Sequence, residues 1–144
     1  MSNTEMNLSQ DTASCIRAAQ LALGYPPELD PQADTLQTLP DILAQAVKKY
    51  PARPAYSCMG KTLRYADVDA LSQQFASYLQ NHTSLKAGDR VAIQLPNVLQ
   101  YPVAVFGALR AGMVVVNVNP LYTPDEMQHQ LSDSGAVAIV ILAN

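Results

Sequence analysis

Three short apolar runs limit the architectures open to this chain: VAIQL (Val91–Leu95), MVVVNV (Met113–Val118) and AVAIVI (Ala136–Ile141). Each is too short for an ordinary helix and is rich in β-branched residues, which fit a pleated strand. About 17 residues separate each run from the next, enough for one crossover helix with its loops. Continuous rather than alternating apolarity marks strands buried on both faces. The runs therefore predict a parallel β-α-β-α-β unit with right-handed connections and the sheet as its core.

The intervening segments agree with this in different ways. NVLQYPVAVFGALRAG is apolar nearly all round, the pattern of a helix covered on both sides, and Pro102 should kink or delay its first turn. In a small isolated domain such a helix would be left half uncovered. TPDEMQHQLSDSG carries a full set of boundary signals: Thr123 as N-cap, Pro124 at the first helical position, Glu126 to complete a capping box, and Gly135 after the last turn.

Upstream, TLPDILAQAVKKY places Leu39, Ile42, Ala46, Val47 and Tyr50 at helical spacing. Thr38 and Asp41 can cap its start, and Lys48 and Lys49 suit the negative end of its dipole. AYSCMGKTLRY reads as a β-hairpin turning at Gly60. YADVDALSQQFASYLQ puts Val68, Leu71, Phe75, Tyr78 and Leu79 on one inward stripe. The fold class is thus α/β: a three-stranded parallel unit preceded by a helix, a hairpin and a second helix, spanning residues 38–144. Residues 1–37, with GYPPELDPQADT, read as an irregular leader containing one short helix over Cys15 to Leu23.

Charged residues are only 15 % of the chain, below the usual ~25 % for soluble domains, so an unusual share of the surface expects cover. Net charge is −3, and nine basic residues read as scattered leave no footprint for nucleic acid. Cys15 and Cys58 stand far apart with no metal-ligand spacing, as two reduced thiols would. The polar, acidic start lacks the pattern of a secretory signal, and Leu95–Val118 is too interrupted to span a membrane. The expected location is cytoplasmic.

Candidate chemistry is sparse. Neither G-x-G-x-x-G nor G-x-x-x-x-G-K-[ST] occurs, so no known loop grips a phosphate, and no nucleophile or zinc motif is present. His82 and His129 read as solvated side chains. Asp125 and Glu126 suit a helix start better than a metal, and Asp133 adds no ligand set to them. The loop NVNPLYT is the one candidate site, because it leaves the carboxyl end of the middle strand, where open parallel sheets bind ligands. Asn117, Asn119 and Tyr122 would present polar groups there. The competing reading makes Asn119-Pro120 turn chemistry and Tyr122 a packing anchor.

GDRVAIQLPNVLQYPVAVFGALRAGMVVVNVNPLYTPDEMQHQLSDSGAVAIVI, with YPARPAYSCMGKTLRYADVDALSQQFASYLQ before it, resembles the amino-terminal part of bacterial long-chain fatty-acid CoA ligases. These belong to the adenylate-forming superfamily of acyl-CoA synthetases. QYPVA and NVNPLYTP carry the likeness to the long-chain branch. The resemblance implies a parent enzyme that joins a fatty acid to AMP using ATP and Mg2+, then transfers the acyl group to coenzyme A. It places the family's phosphate loop and catalytic lysine downstream of these residues. No catalytic, ATP-binding or metal residue is therefore carried over, no cofactor is expected bound to this chain, and the chain alone should be inactive. Asn119, Pro120, Leu121 and Tyr122 match a loop on the substrate side of the family's site.

The family's apolar substrate implies a peripheral position on the inner membrane for the parent enzyme. Its partners would be fatty acid, ATP and CoA, with the rest of the polypeptide or a self-association partner over the apolar face. The alternative from a different class is a stand-alone binding module, docking through the apolar helix and a sheet edge. A small flavodoxin-like signalling domain is disfavoured, since no acidic cluster follows the first parallel strand.

Overall fold

The computed structural model describes residues 38–142, so the expected leader and its short helix lie outside the described residues. Helix α1 (Leu39–Lys49) starts where its signals predict. Thr38 Oγ1 accepts from the Asp41 amide at 3.3 Å, and the Asp41 carboxylate accepts from the Thr38 amide at 3.1 Å. Strands β1 (Pro54–Cys58) and β2 (Lys61–Arg64) follow as an antiparallel hairpin with Cys58 opposite Lys61. Its two-residue turn, Met59-Gly60, has φ of 49° and 75°. Positive φ at both positions gives the turn a twist that matches the strands, which is why glycine is useful here.

Helix α2 (Tyr65–His82) buries Val68, Ser72, Ala76 and Leu79, with Phe75 half-buried beside them. The expected stripe is therefore rotated: Leu71 and Tyr78 are exposed, and a serine is 0 % exposed. Ser72 tolerates burial because its hydroxyl donates to the Asp69 carbonyl at 3.0 Å within the same helix.

Strands β3 (Arg90–Gln94), β4 (Val114–Asn117) and β5 (Ala138–Ile141) form the parallel sheet in the spatial order β4-β3-β5. Val91 lies opposite both Val115 and Ala138, and Ile93 opposite both Asn117 and Val140. The first strand in sequence is thus the central one, and the middle one in sequence is an edge. Only β3 is buried on both faces; β4 and β5 keep exposed positions because each has a neighbour on one side alone.

Helix α3 (Gln100–Arg110) corrects two further expectations. Pro102 sits buried in the first turn, where a missing N–H leaves no helical bond unmade, and the helix still begins at Gln100. Nor is α3 half uncovered, since every residue after Gln100 is at least partly buried. The cover comes from α2 on one side and the sheet on the other. Ala76, Leu79, Val91, Ala108, Ala111 and Met113 form one core cluster, and Ile93, Leu95 and Ala104 a second, with Phe75 packing against both. The apolar surface expected from the low charge lies instead on the strands and their ends, at Val114, Val137, Ile139, Ile141 and Leu142, and on α1, where Leu39 and Ile42 of the expected stripe are exposed and Leu43 is the buried residue.

Helix α4 (Pro124–Ser134) is capped as its sequence predicts and closed by Gly135 at φ 63°. The connections β3-to-β4 and β4-to-β5 step in opposite directions across the sheet, so right-handed crossovers put α3 and α4 on opposite faces. Ala92 points away from the α3 face and is 0 % exposed, as cover from α4 requires. The partly buried residues Met127, Gln130, Leu131 and Ser134 form the inner stripe of α4.

Candidate functional site

Strands β3 and β4 are neighbours whose exit loops lead to helices on opposite faces, so the two loops flank a crevice at the carboxyl ends of the strands, the side on which open α/β sheets bind ligands. One wall is the β3 exit, Leu95–Leu99; the other is Val118–Thr123, which contains Asn119, Pro120, Leu121 and Tyr122. The two walls are tied at their base by Val118, whose amide donates to the Ile93 carbonyl at 3.0 Å.

The polar side chains of the second wall are used to hold it. Asn119 Oδ1 accepts from the Leu121 amide at 3.0 Å, and the Asn119 carbonyl accepts from the Tyr122 amide at 3.2 Å and from Gln94 Nε2 at 3.4 Å. Asn117 is engaged twice: its Oδ1 accepts from the Tyr101 hydroxyl at 2.9 Å, and its carbonyl from Gln130 Nε2 at 2.8 Å. Asn117 and Asn119 thus each use their side-chain oxygen to hold the loop. Beside them the loop exposes apolar surface, with Leu121 87 % and Tyr122 38 % exposed. The packing-anchor reading of Tyr122 is met only in part.

Sequence reasoning missed Tyr101, Gln94 and Gln130, which brace the loop from three different elements; a lone polar residue on an apolar element was the available signal. It also missed the hairpin's part in the first wall, where the Cys58 thiol donates to the Asn97 carbonyl at 3.3 Å. On the α3 side, an apolar cavity of about 290 Å³ lies between Phe75, Leu95, Val103, Ala104, Val140 and Leu142. It has the chemistry to take an aliphatic chain. His82 and His129 are both exposed and lie outside the crevice walls.

Comparison with known proteins identifies the group. The family model described as "AMP-binding enzyme" matches residues 43–144. This chain belongs to the AMP-binding enzyme family. Long-chain-fatty-acid–CoA ligase of Escherichia coli O6:H1 is 55 % identical over 119 residues, covering 83 % of this chain and 21 % of that protein. The ligase of the same name from Haemophilus influenzae is 51 % identical over 122 residues, covering 83 % and 22 %. The chain thus spans about a fifth of the length of the curated relatives it matches. Among solved structures, the Klebsiella oxytoca NpsA N-terminal subdomain matches with a TM-score of 0.70 at 26 % identity, covering 73 % of this chain and 27 % of that one. Mycobacterium smegmatis MbtA matches at 0.67 and 35 %, covering 72 % and 19 %.

A phosphate needs free backbone donors at a helix start, and a metal ion needs a set of ligating side chains. No group of three or more His, Cys, Asp or Glu that could hold a metal exists among the described residues. Three helix starts are filled by their own acids, Asp41 in α1, Asp67 in α2 and Asp125 with Glu126 in α4, which would repel a phosphate. The start of α3 carries a proline in place of a donor.

The acid at α4 sets a pH dependence for the loop's far end. Hydrogen bonds from the Thr123 backbone amide, then from its hydroxyl, both at 2.8 Å, hold the Glu126 carboxyl below the usual carboxylate range. A depressed folded-state pKa contributes stability that is present above the unfolded value and lost as pH falls through the folded one. Glu126→Gln is expected to make hydrogen exchange in the first turn of α4 faster at neutral pH and to flatten its acid dependence. Unchanged exchange at neutral pH would show the cap to be idle.

Proposed function

We propose that this chain forms the amino-terminal α/β subdomain of a long-chain fatty-acid CoA ligase. The full enzyme joins a fatty acid to AMP with Mg-ATP, releases pyrophosphate, and passes the acyl group to the thiol of coenzyme A. The observation that carries this reading is the identity of 51–55 % to bacterial ligases of that name across 83 % of the chain. The chemistry needs two stages because a carboxylate is a poor electrophile with a poor leaving group; AMP supplies a better one.

The part played by these residues is mechanical. The sheet fixes the crevice between the β3 and β4 exits, the bonds of Asn117 and Asn119 stiffen its wall, and Leu121 and Tyr122 present an apolar surface on the substrate side. A rigid wall of this kind lowers the ordering cost of holding a flexible acyl chain. The stand-alone binding-module alternative loses the helix it rested on, because α2 and the sheet already cover α3, and keeps only the sheet edge.

The test is a chimera of the Escherichia coli ligase in which this chain replaces the segment it matches. Palmitate-dependent pyrophosphate release within about tenfold of the parent is expected, together with a raised KM for palmitate in the chimera carrying Leu121→Ser. The isolated chain should release none. A folded chimera without palmitate-dependent release, or saturable ATP binding by the isolated chain, would overturn the proposal.

A further inference from the structure

Tyr101 brings a hydroxyl into the apolar helix α3, and it reaches both walls of the crevice. Its backbone amide donates to the Val98 carbonyl of the first wall at 3.0 Å. Its hydroxyl donates to Asn117 Oδ1 at 2.9 Å, one residue before the second wall begins. The Val98 amide in turn donates to the Pro96 carbonyl at 2.7 Å, and the neighbouring Asn97 carbonyl accepts from the Cys58 thiol of the hairpin. The bond from Val118 to Ile93 joins the walls at their base through backbone; Tyr101 joins them through a side chain.

Packing alone does not account for a tyrosine here. The ring packs against the cluster of Ile93, Leu95 and Ala104, where phenylalanine would serve as well. Elsewhere it borders a cavity of about 270 Å³ shared with Tyr56, Cys58, Asn97 and Leu99, so packing does not enclose it. The side chain is half-buried and its hydroxyl needs a partner; the bond to Asn117 supplies one and fixes where the ring lies. Gln130 also holds Asn117, but by the backbone carbonyl, which any residue at that position would offer. The Tyr101 bond needs an acceptor on the side chain itself.

We propose that Tyr101 is a positioning residue for the crevice: it sets the spacing between the β3 and β4 exits, and through that spacing the fit of the acyl chain held between them. The proposal rests on the ligase reading for the acyl chain and on the structure alone for the tie. A tyrosine side chain has two torsions, so a tie made through it holds one span where a longer flexible side chain would allow several. Loss of the hydroxyl leaves the ring packed and frees the Asn117 side chain, so the second wall gains motion while the core stays intact. Fit to an acyl chain is felt alike in the ground state and the transition state, so loosening it raises KM and leaves kcat.

Two measurements test it. In the whole 144-residue chain, Tyr101→Phe is expected to speed hydrogen exchange at the Leu121 and Tyr122 amides about tenfold, as loss of one neutral hydrogen bond allows, and to change Ala76 in the core of α2 far less. Tyr101→Phe combined with Asn117→Leu should quicken the loop no more than either change alone, since both remove the same bond. In the Escherichia coli ligase chimera, Tyr101→Phe is expected to raise KM for palmitate about fivefold with kcat within about twofold. Asn117→Asp, which keeps an oxygen for the Tyr101 hydroxyl, should raise KM less than Asn117→Leu, which keeps the size and loses the acceptor. Loop exchange that stays at the parent rate, or quickens only as much as Ala76, would overturn the proposal. An active chimera whose KM is unchanged by Tyr101→Phe, or whose kcat falls as far as KM rises, would overturn it as well. A chimera inactive with Tyr101 in place would count against the ligase reading alone, because the exchange measurement uses no substrate and still decides the tie.

Discussion

Gly107→Ala is expected to lower the stability of this chain, although the same exchange inside most helices raises it. Helix propensity alone favours alanine by about 1 kcal/mol. Against that, a Cβ at Gly107 would stand 2.7 Å from Phe75 Cδ1, 3.0 Å from Phe75 Cβ and 3.0 Å from the Ser72 carbonyl oxygen. Two of the three atoms belong to the backbone of α2 or next to it, so a rotamer change in Phe75 cannot clear them all. The ring is itself fixed by packing against both core clusters. Helices α2 and α3 must therefore separate, and overpacking of this kind costs about 1–3 kcal/mol, occasionally more. We expect a net loss of about 1–2 kcal/mol for alanine and about 3 kcal/mol or more for valine, which adds a branched side chain. At roughly 4 °C per kcal/mol for a domain of this size, thermal unfolding followed by circular dichroism should order the melting temperatures glycine, alanine, valine. An alanine variant as stable as the parent would mean that the two helices do not approach this closely.

The same contact shows where the sequence was readable and where it was not. Elements defined by local chemistry were legible: the capping boxes at Thr38–Asp41 and Thr123–Glu126, the turn at Met59-Gly60, and three strands recognised by β-branched runs. In each case the signal and the structure it specifies lie within a few residues. The rotated stripe of α2 was not legible, because its register is set by Gly107 on another helix and by a serine that satisfies its own hydroxyl. Counting apolar residues selects Leu71 and Tyr78; packing selects Ser72 and Ala76, which are small enough to let α3 come near. The cover of α3 was missed for the same reason, since a helix apolar all round says that it is enclosed and not by what.

The loop after β4 was legible to a similar depth. Parallel strands and the position of the loop after β4 pointed to Asn119–Tyr122, and in the structure that loop follows the carboxyl end of β4 beside β3. Its polar residues were read as candidates to face a ligand, whereas their hydrogen bonds run to Leu121, Tyr122, Gln94, Tyr101 and Gln130. An asparagine has several bonding positions, and neighbours brought together only by the fold decide which are taken. The spatial order β4-β3-β5 likewise depends on how the crossovers pack, which no single strand encodes.

Ile93→Ala is expected to be the most damaging truncation in the sheet and to loosen the crevice with the core. Ile93 is 0 % exposed at the centre of β3 and anchors the cluster with Leu95 and Ala104, against Phe75, Val98, Tyr101, Val105, Val115 and Val140. Its neighbours belong to both flanking strands, α2, α3 and the β3 exit loop, so no single element can move in to fill the space. Truncation should cost about 3–4 kcal/mol, toward the upper part of the range for such changes, while Ile93→Val should cost about 1 kcal/mol. Urea unfolding with an unchanged slope would read both values. The site should respond too, because the Ile93 carbonyl accepts the Val118 amide and Tyr101, which packs on this cluster, holds Asn117. Hydrogen exchange at Val118 is therefore expected to quicken in Ile93→Ala well before global unfolding. If stability falls while Val118 stays protected to the global limit, the wall of the crevice is held by its own hydrogen bonds and not by the core beneath it.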